Sequence, residues 1–307
     1  MGGGRWEAKD WDDYSTKTTV GKSTREIYTS RKMDTSLDPK SIEIRESCDS
    51  DDNPNSNAVI VGLDVTGSMH SVLDAMARDG LNTLVTEIYD RKPVADPHIM
   101  CCGIGDVTMG DSAPLQATQF EADIRIAEQL AKIWLEGGGG GNRCESYNLP
   151  WYLAAMHTTI DCFEKRGKKG YLFTVGDEEP PKVLTRDEIA TVFGTKPQAD
   201  IKTEDLLTMV SRNYEVFHLM VAEGSHMRNS RDTVVSKWTA LLGQRAMILE
   251  DHTKMAEVIV STIQANEGMD KDDIINSWDG STAVVVKTAI DALDAAGGAS
   301  ETGVVRF

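Results

Sequence analysis

Residues 58–72 read AVIVGLDVTGSMHSV. A mostly apolar run, 58–63, ends at Asp64; Thr66 and Ser68 follow, and a helical pattern begins at once. A short apolar run closed by polar turn residues is the mark of a buried strand. The acid and the two hydroxyls therefore stand at a strand's carboxyl end, where open α/β sheets build their sites. Leu73, Met76, Ala77, Leu81, Leu84, Val85 and Ile88 then recur at a period of about 3.6 residues, one face of a helix over 71–90.

Strand and helix patterns go on alternating. Further strands are predicted at 98–104, 115–120, 170–175, 216–222 and 246–249. Further helices are predicted at 123–135, 148–165, 205–213, 232–242 and 253–265. This alternation predicts an α/β, Rossmann-like fold: a mostly parallel six-stranded sheet with helices on both faces. Only about ten residues separate 98–104 from 115–120, too few for a helical crossover, so that pair is expected to be an antiparallel hairpin at the sheet edge. DSDDNPNSN, 49–57, has the composition of a linker. The expected division is a polar N-terminal arm and linker over 1–56, the α/β domain over 57–267, and a C-terminal helical extension and tail over 268–307 with a helix at 281–295.

Composition narrows the function classes. The 307 residues carry 32 basic and 49 acidic side chains, a net charge of −17. Nucleic acid and anionic membrane both require a basic footprint, so neither is expected as a partner. No run approaches the ~18 apolar residues of a membrane span. MGGGRWEAKDWDD lacks the regions of a signal peptide, and Trp6 stands where a myristoylation pattern needs Ser or Thr. Cys48, Cys101, Cys102, Cys144 and Cys162 match no zinc spacing, and a reducing, cytoplasmic location is expected. VGKST, 20–24, is not a phosphate loop, because Thr16 stands where the pattern requires Gly. GIGDVTMG, 103–110, is not a dinucleotide fingerprint, because Thr108 fills the third glycine position. His98 and His218 lie in strand patterns and are expected to be core residues.

Oxygen donors recur past other strand ends. The glycine run 137–141 is followed by Glu145 and Ser146, just before Pro150 in a helix's first turn. Asp177 follows the strand at 170–175. With Asp64, Thr66 and Ser68 spaced i, i+2, i+4, these residues make an all-oxygen site suited to a hard divalent cation, Mg²⁺ or Mn²⁺. Asp106 is a candidate supporting group, and Glu178 and Glu179 are expected to tune the local field.

DVTGS resembles the D-x-S/T-x-S signature of von Willebrand factor A (vWA) domains, which forms the metal-ion-dependent adhesion site, MIDAS. The resemblance covers 57–267 and includes the edge hairpin. ESY after the glycine run, and TVGDEEP, are similar to the variants of integrin β subunits and some kinase-linked vWA domains. There a glutamate replaces the usual metal-binding threonine. The resemblance implies Thr66 and Ser68 as direct ligands, Asp64 and Asp177 as direct or water-mediated ligands, and Glu145 as the variable ligand. It departs from the family where Cys144, not Pro, precedes Glu145. It implies a non-enzymatic, cytoplasmic adaptor or scaffold of the intracellular bacterial and phage type. Such a protein binds a partner's acidic side chain at the metal, in company that includes MoxR-type AAA+ ATPases. Two alternatives remain: a Mg²⁺-dependent phosphohydrolase of the haloacid-dehalogenase type, and a vWA scaffold with a silent metal site. Against the first, Thr66 and Val65 stand where its common forms need Asp or Lys.

Overall fold

Every residue of Asn57–Asp64 is buried, so this strand has protein on both faces. The computed structural model describes residues 3–67, 69–138 and 141–293. Among these, six strands form the central sheet: β1 (Asn57–Asp64), β2 (Pro97–Ile104), β3 (Leu115–Ala117), β4 (Gly170–Gly176), β5 (Tyr214–Val221) and β6 (Ala246–Leu249). Their spatial order is β6-β5-β4-β1-β2-β3. All pairs are parallel except β2 with β3, where Cys102 faces Ala117 and Ile104 faces Leu115. The fold is the α/β, Rossmann-like one that the alternation predicts, antiparallel edge included.

Side chains alternate between two cores, as the two-residue period of a strand requires. Val59, Val61 and Leu63 join Ile99, Phe173 and Leu219 on one face. Ala58 and Ile60 join Met100, Leu172 and Val216 on the other. Helices His70–Ala75, Leu81–Arg91, Met255–Asn266 and Gly280–Ile290 bury side chains in the first core. Helices Asn148–Met156, Arg186–Phe193, Thr203–Val210 and Ser225–Leu242 do so in the second. The parallel strands end on one rim: Asp64 lies level with Ile104, and Gly176 with Met220.

Two predicted helices are shorter than expected. The helix of 148–165 stops at Met156 because Thr158–Ile160 is β-branched and pairs as a strand with Arg45–Ser47. The helix of 123–135 narrows to Arg125–Leu130. Gln116 takes both backbone groups of Trp134, accepting from its N–H at 2.8 Å and donating to its carbonyl at 2.9 Å, so that residue belongs to the hairpin's edge. The predicted helix at 281–295 is Gly280–Ile290, and positions 294 and 295 lie outside the described residues.

The polar N-terminal stretch also carries buried aromatics. Trp6 and Trp11 belong to the first core, with ring centroids 5.7 Å apart. The Trp6 indole donates to Asn82 Oδ1 at 3.1 Å, and the Tyr14 hydroxyl donates to the Ala127 carbonyl at 3.0 Å. Arg78 donates to the carbonyls of Thr19 and Lys22, and Tyr28 to that of Leu73. Trp11→Ala, which empties a buried ring site, is expected to lower the unfolding free energy by about 3 kcal/mol in urea titration. A loss below about 1 kcal/mol would mean that this segment does not contribute to the fold's stability.

Candidate metal centre

Asp64 closes β1 with no exposed surface. Its Oδ1 accepts the Thr66 N–H at 2.9 Å and the Thr66 hydroxyl at 2.6 Å. Its Oδ2 accepts the hydroxyl of Tyr147 at 2.8 Å. Because the Thr66 hydroxyl gives its hydrogen to Asp64, its oxygen lone pairs stay available to a cation. Burial raises the Asp64 carboxyl to about 6 and the nearby Asp177 charge pushes the same way, against the pull of the Thr66 and Tyr147 hydrogen bonds. Ser68 lies outside the described residues.

Glu145 and Asp177 are each 1% exposed and carry oxygens that nothing satisfies. Both Glu145 oxygens, Asp177 Oδ1 and Glu178 Oε2 are buried without a hydrogen-bond partner among the described residues. The other Asp177 oxygen accepts the His226 N–H at 2.8 Å. Burial, then the charges of Asp64, Glu178, Asp106 and Asp111, push Glu145 up to about 10. Burial, then the charges of Asp64, Asp177, Asp106 and Glu179, push Glu178 up to about 7. Carboxylates from separate loops thus repel one another across one buried spot. Buried, unpaired charge is costly, and a cation is the usual counterpart.

The loops that carry them are tied together. Ser146 donates its N–H to the Gly105 carbonyl at 3.1 Å, and its hydroxyl accepts the Val107 N–H at 3.0 Å. Asp106 caps Thr108 through one oxygen and accepts from the Asn142 amide through the other. The Gly67 N–H faces the Gly138 carbonyl at 3.4 Å, which ties the start of the glycine run to the Asp64 loop.

Tyr147, quoted in ESY but given no role in the sequence reading, is the missed organiser. Its hydroxyl also accepts the Glu178 N–H at 3.3 Å. A Cβ on Gly176 would sit 2.1 Å from that hydroxyl oxygen, which explains the glycine before Asp177. A Cβ on Gly224 would lie 2.2 Å from the Asp177 Cβ. That glycine before an acid at a strand end was the available signal for a close-packed neighbour.

The residues fit a hard cation. Asp64, Thr66, Glu145 and Asp177 offer oxygen only, and the orphaned oxygens lack a positive partner. Asp64, Glu145 and Asp177 do not bring their ligand atoms within 4.8 Å of one another. Among the described residues the tighter triad is Glu223, Asp251 and His252, whose atoms are engaged locally. His252 donates to Glu223, and Asp251 caps Thr253. His98 and His218 are core residues as expected, bonded to Ser47 and Thr174.

No protein-family model and no curated protein matches the chain. Among solved structures it is similar to the pilus adhesin SpaC from Lactobacillus rhamnosus GG, at 12% identity and a TM-score of 0.45, over 74% of this chain and 31% of the adhesin. It is similar to a von Willebrand factor type A protein from Catenulispora acidiphila at 15% identity and a TM-score of 0.35, over 70% of this chain and 44% of that one. BatB from Bacteroides thetaiotaomicron matches at 14% identity and a TM-score of 0.31, over 54% of this chain and 66% of BatB. The chain spans less than half the length of the first two.

Two outcomes follow from this geometry. Without a cation, Glu145 titrates near 10 in the folded chain against an ordinary value of 4.5. The folded state then holds that proton more tightly, so its stability falls as pH rises between those values. Glu145→Gln removes this penalty. In EDTA at mildly alkaline pH the variant is expected to melt above the wild type, and Mg²⁺ should no longer raise its Tm; a lower Tm in EDTA would contradict a carboxyl raised by burial and neighbouring acids. Gly176→Ala displaces the Tyr147 hydroxyl and is expected to weaken Mg²⁺ binding about tenfold or more by calorimetry, whereas unchanged binding would remove Tyr147 from the site's design.

Proposed function

We propose that this chain is a vWA-type module that binds a protein partner through a divalent cation, Mg²⁺ or Mn²⁺. The observation that carries this reading is the set of orphaned carboxylate oxygens on Glu145 and Asp177, buried beside Asp64 at the rim. When bound, the cation supplies the missing counter-charge and a coordination position for an incoming carboxylate. The Thr66 hydroxyl oxygen keeps lone pairs for the ion, and Tyr147 fixes the Asp64 carboxylate. Ser68 completes the oxygen set in this reading.

Binding is better supported than turnover. Asp64 is the residue that a phosphohydrolase of the dehalogenase type would use as nucleophile, and both its oxygens are engaged by Thr66 and Tyr147. The chain brings no ATP-binding motif, so a MoxR-type AAA+ ATPase would be a separate chain in an adaptor assembly. No feature of the rim selects for one. Among the described residues no helix is long and apolar enough to cross a membrane.

Calorimetric titration with Mg²⁺ and with Mn²⁺ tests the reading on the wild type, Asp64→Ala and Asp177→Ala. Saturable binding is expected in the wild type and a loss of about tenfold or more in each variant. Equal binding in all of them, or none in the wild type, would return the chain to a scaffold with a silent site.

A further inference from the structure

A cleft of about 670 Å³ opens beside the rim, within the ~300–1,000 Å³ typical of ligand pockets. Arg25, Tyr28 and Arg31 of the N-terminal segment line one side, and His70, Glu136 and Gly137 line the other. The second group belongs to the metal loops. His70 starts the helix that leaves the DVTGS motif, and Gly137 precedes the Gly138 carbonyl that faces Gly67.

Two exposed arginines line the cleft against one acid. Arg25 and Arg31 are exposed, and neither guanidinium forms an ion pair among the described residues, unlike Arg78, Arg91, Arg125 or Arg166. The acid of the cleft, Glu136, is turned onto backbone amides, accepting from Ser112 at 3.0 Å and Ala113 at 2.9 Å. Two arginines without a carboxylate partner among the described residues, Arg31 donating only to the Ser30 carbonyl at 3.4 Å, therefore line a cleft in a chain whose net charge is −17. An acidic partner approaching most of this surface is repelled; here it meets forked donors matched to carboxylates.

We infer that this cleft docks an acidic segment of the partner protein, with Arg25 and Arg31 holding carboxylates next to the one that reaches the cation. The inference rests on the metal-dependent reading for that last carboxylate. The arginine contacts stand apart from it. They make the partner's recognition sequence a run of acids rather than a single acidic residue.

The test uses the full chain and a fluorescein-labelled hexaaspartate peptide, read by fluorescence anisotropy in Mg²⁺ and in EDTA. The Arg25→Glu/Arg31→Glu double variant is compared with Lys9→Glu/Lys202→Glu, which makes the same charge change on exposed lysines elsewhere. The arginine variant is expected to weaken peptide binding about tenfold or more, with its Mg²⁺ affinity by calorimetry unchanged and the lysine control close to wild type. Wild-type affinity in the arginine variant, an equal loss in the lysine control, or no peptide binding by the wild type in Mg²⁺ would each overturn the cleft as a docking site. If calorimetry shows that the wild type binds no Mg²⁺, the metal reading fails separately. Arginine-dependent peptide binding in EDTA would then uphold the cleft, and its absence would sink it.

Discussion

The hydroxyl of Tyr147, 2.8 Å from Asp64, joins three parts of the chain that are far apart in sequence. It comes from the start of the helix Asn148–Met156, meets the end of β1, and takes the Glu178 N–H from the turn after β4. The ring is fixed from behind. It lies edge-on to His218, with centroids 5.1 Å apart, and to Trp238 at 5.6 Å. Trp238 in turn donates its indole N–H to the Glu178 carbonyl. An acid held this way cannot rotate toward solvent, so the rim presents one arrangement of oxygens. Gly176 exists in its present form because the phenol occupies the space of a side chain there.

Parallel strands make the rest unavoidable. A sheet buried on both faces sends its strand ends, and the acids that follow them, to a single edge, where they share a poorly hydrated volume. Asp64 and Asp106 meet part of that cost with hydrogen bonds from Thr66, Tyr147, Thr108 and Asn142. Glu145 has no such help among the described residues, and its strongly raised carboxyl marks where charge compensation is missing. If a cation and an acidic partner bind as proposed, both recognitions share one requirement, positive charge delivered to the rim, from the ion on one side and from Arg25 and Arg31 on the other.

The fold was legible in the sequence wherever one period dominated. The runs at 58–63, 98–104 and 170–175 are strands because apolar residues buried on both faces leave no competing pattern, and 246–249 is a half-buried edge strand. The edge hairpin followed from loop length alone. The helices at 123–135 and 148–165 were overextended because helical spacing persisted past the point where long-range bonds took over, at Trp134 through Gln116 and at Thr158–Ile160 through Arg45–Ser47. Asp64, Glu145 and Asp177 stood out in the sequence because oxygen donors recur past several strand ends, although an acid there can also simply cap a helix. Tyr147 did not stand out, since a tyrosine in an apolar helix start reads as core, and only the three-dimensional approach to Asp64 distinguishes it. The buried indoles of Trp6 and Trp11 were hidden by their polar neighbours, which average out two aromatic contacts.

The N-terminal segment imposes an order on biosynthesis. Trp6 and Tyr14 leave the ribosome before the residues they dock onto, Asn82 and Ala127, the latter 113 positions downstream. Until those residues emerge, two indoles and a phenol have no core to enter, and loop closure over such separations is slow compared with local helix formation. The core that Trp6 and Trp11 enter also takes residues as late as Val286 and Ile290, so these rings stay without their full environment until most of the chain has emerged. A segment synthesised ahead of its partners finds its place only after they emerge.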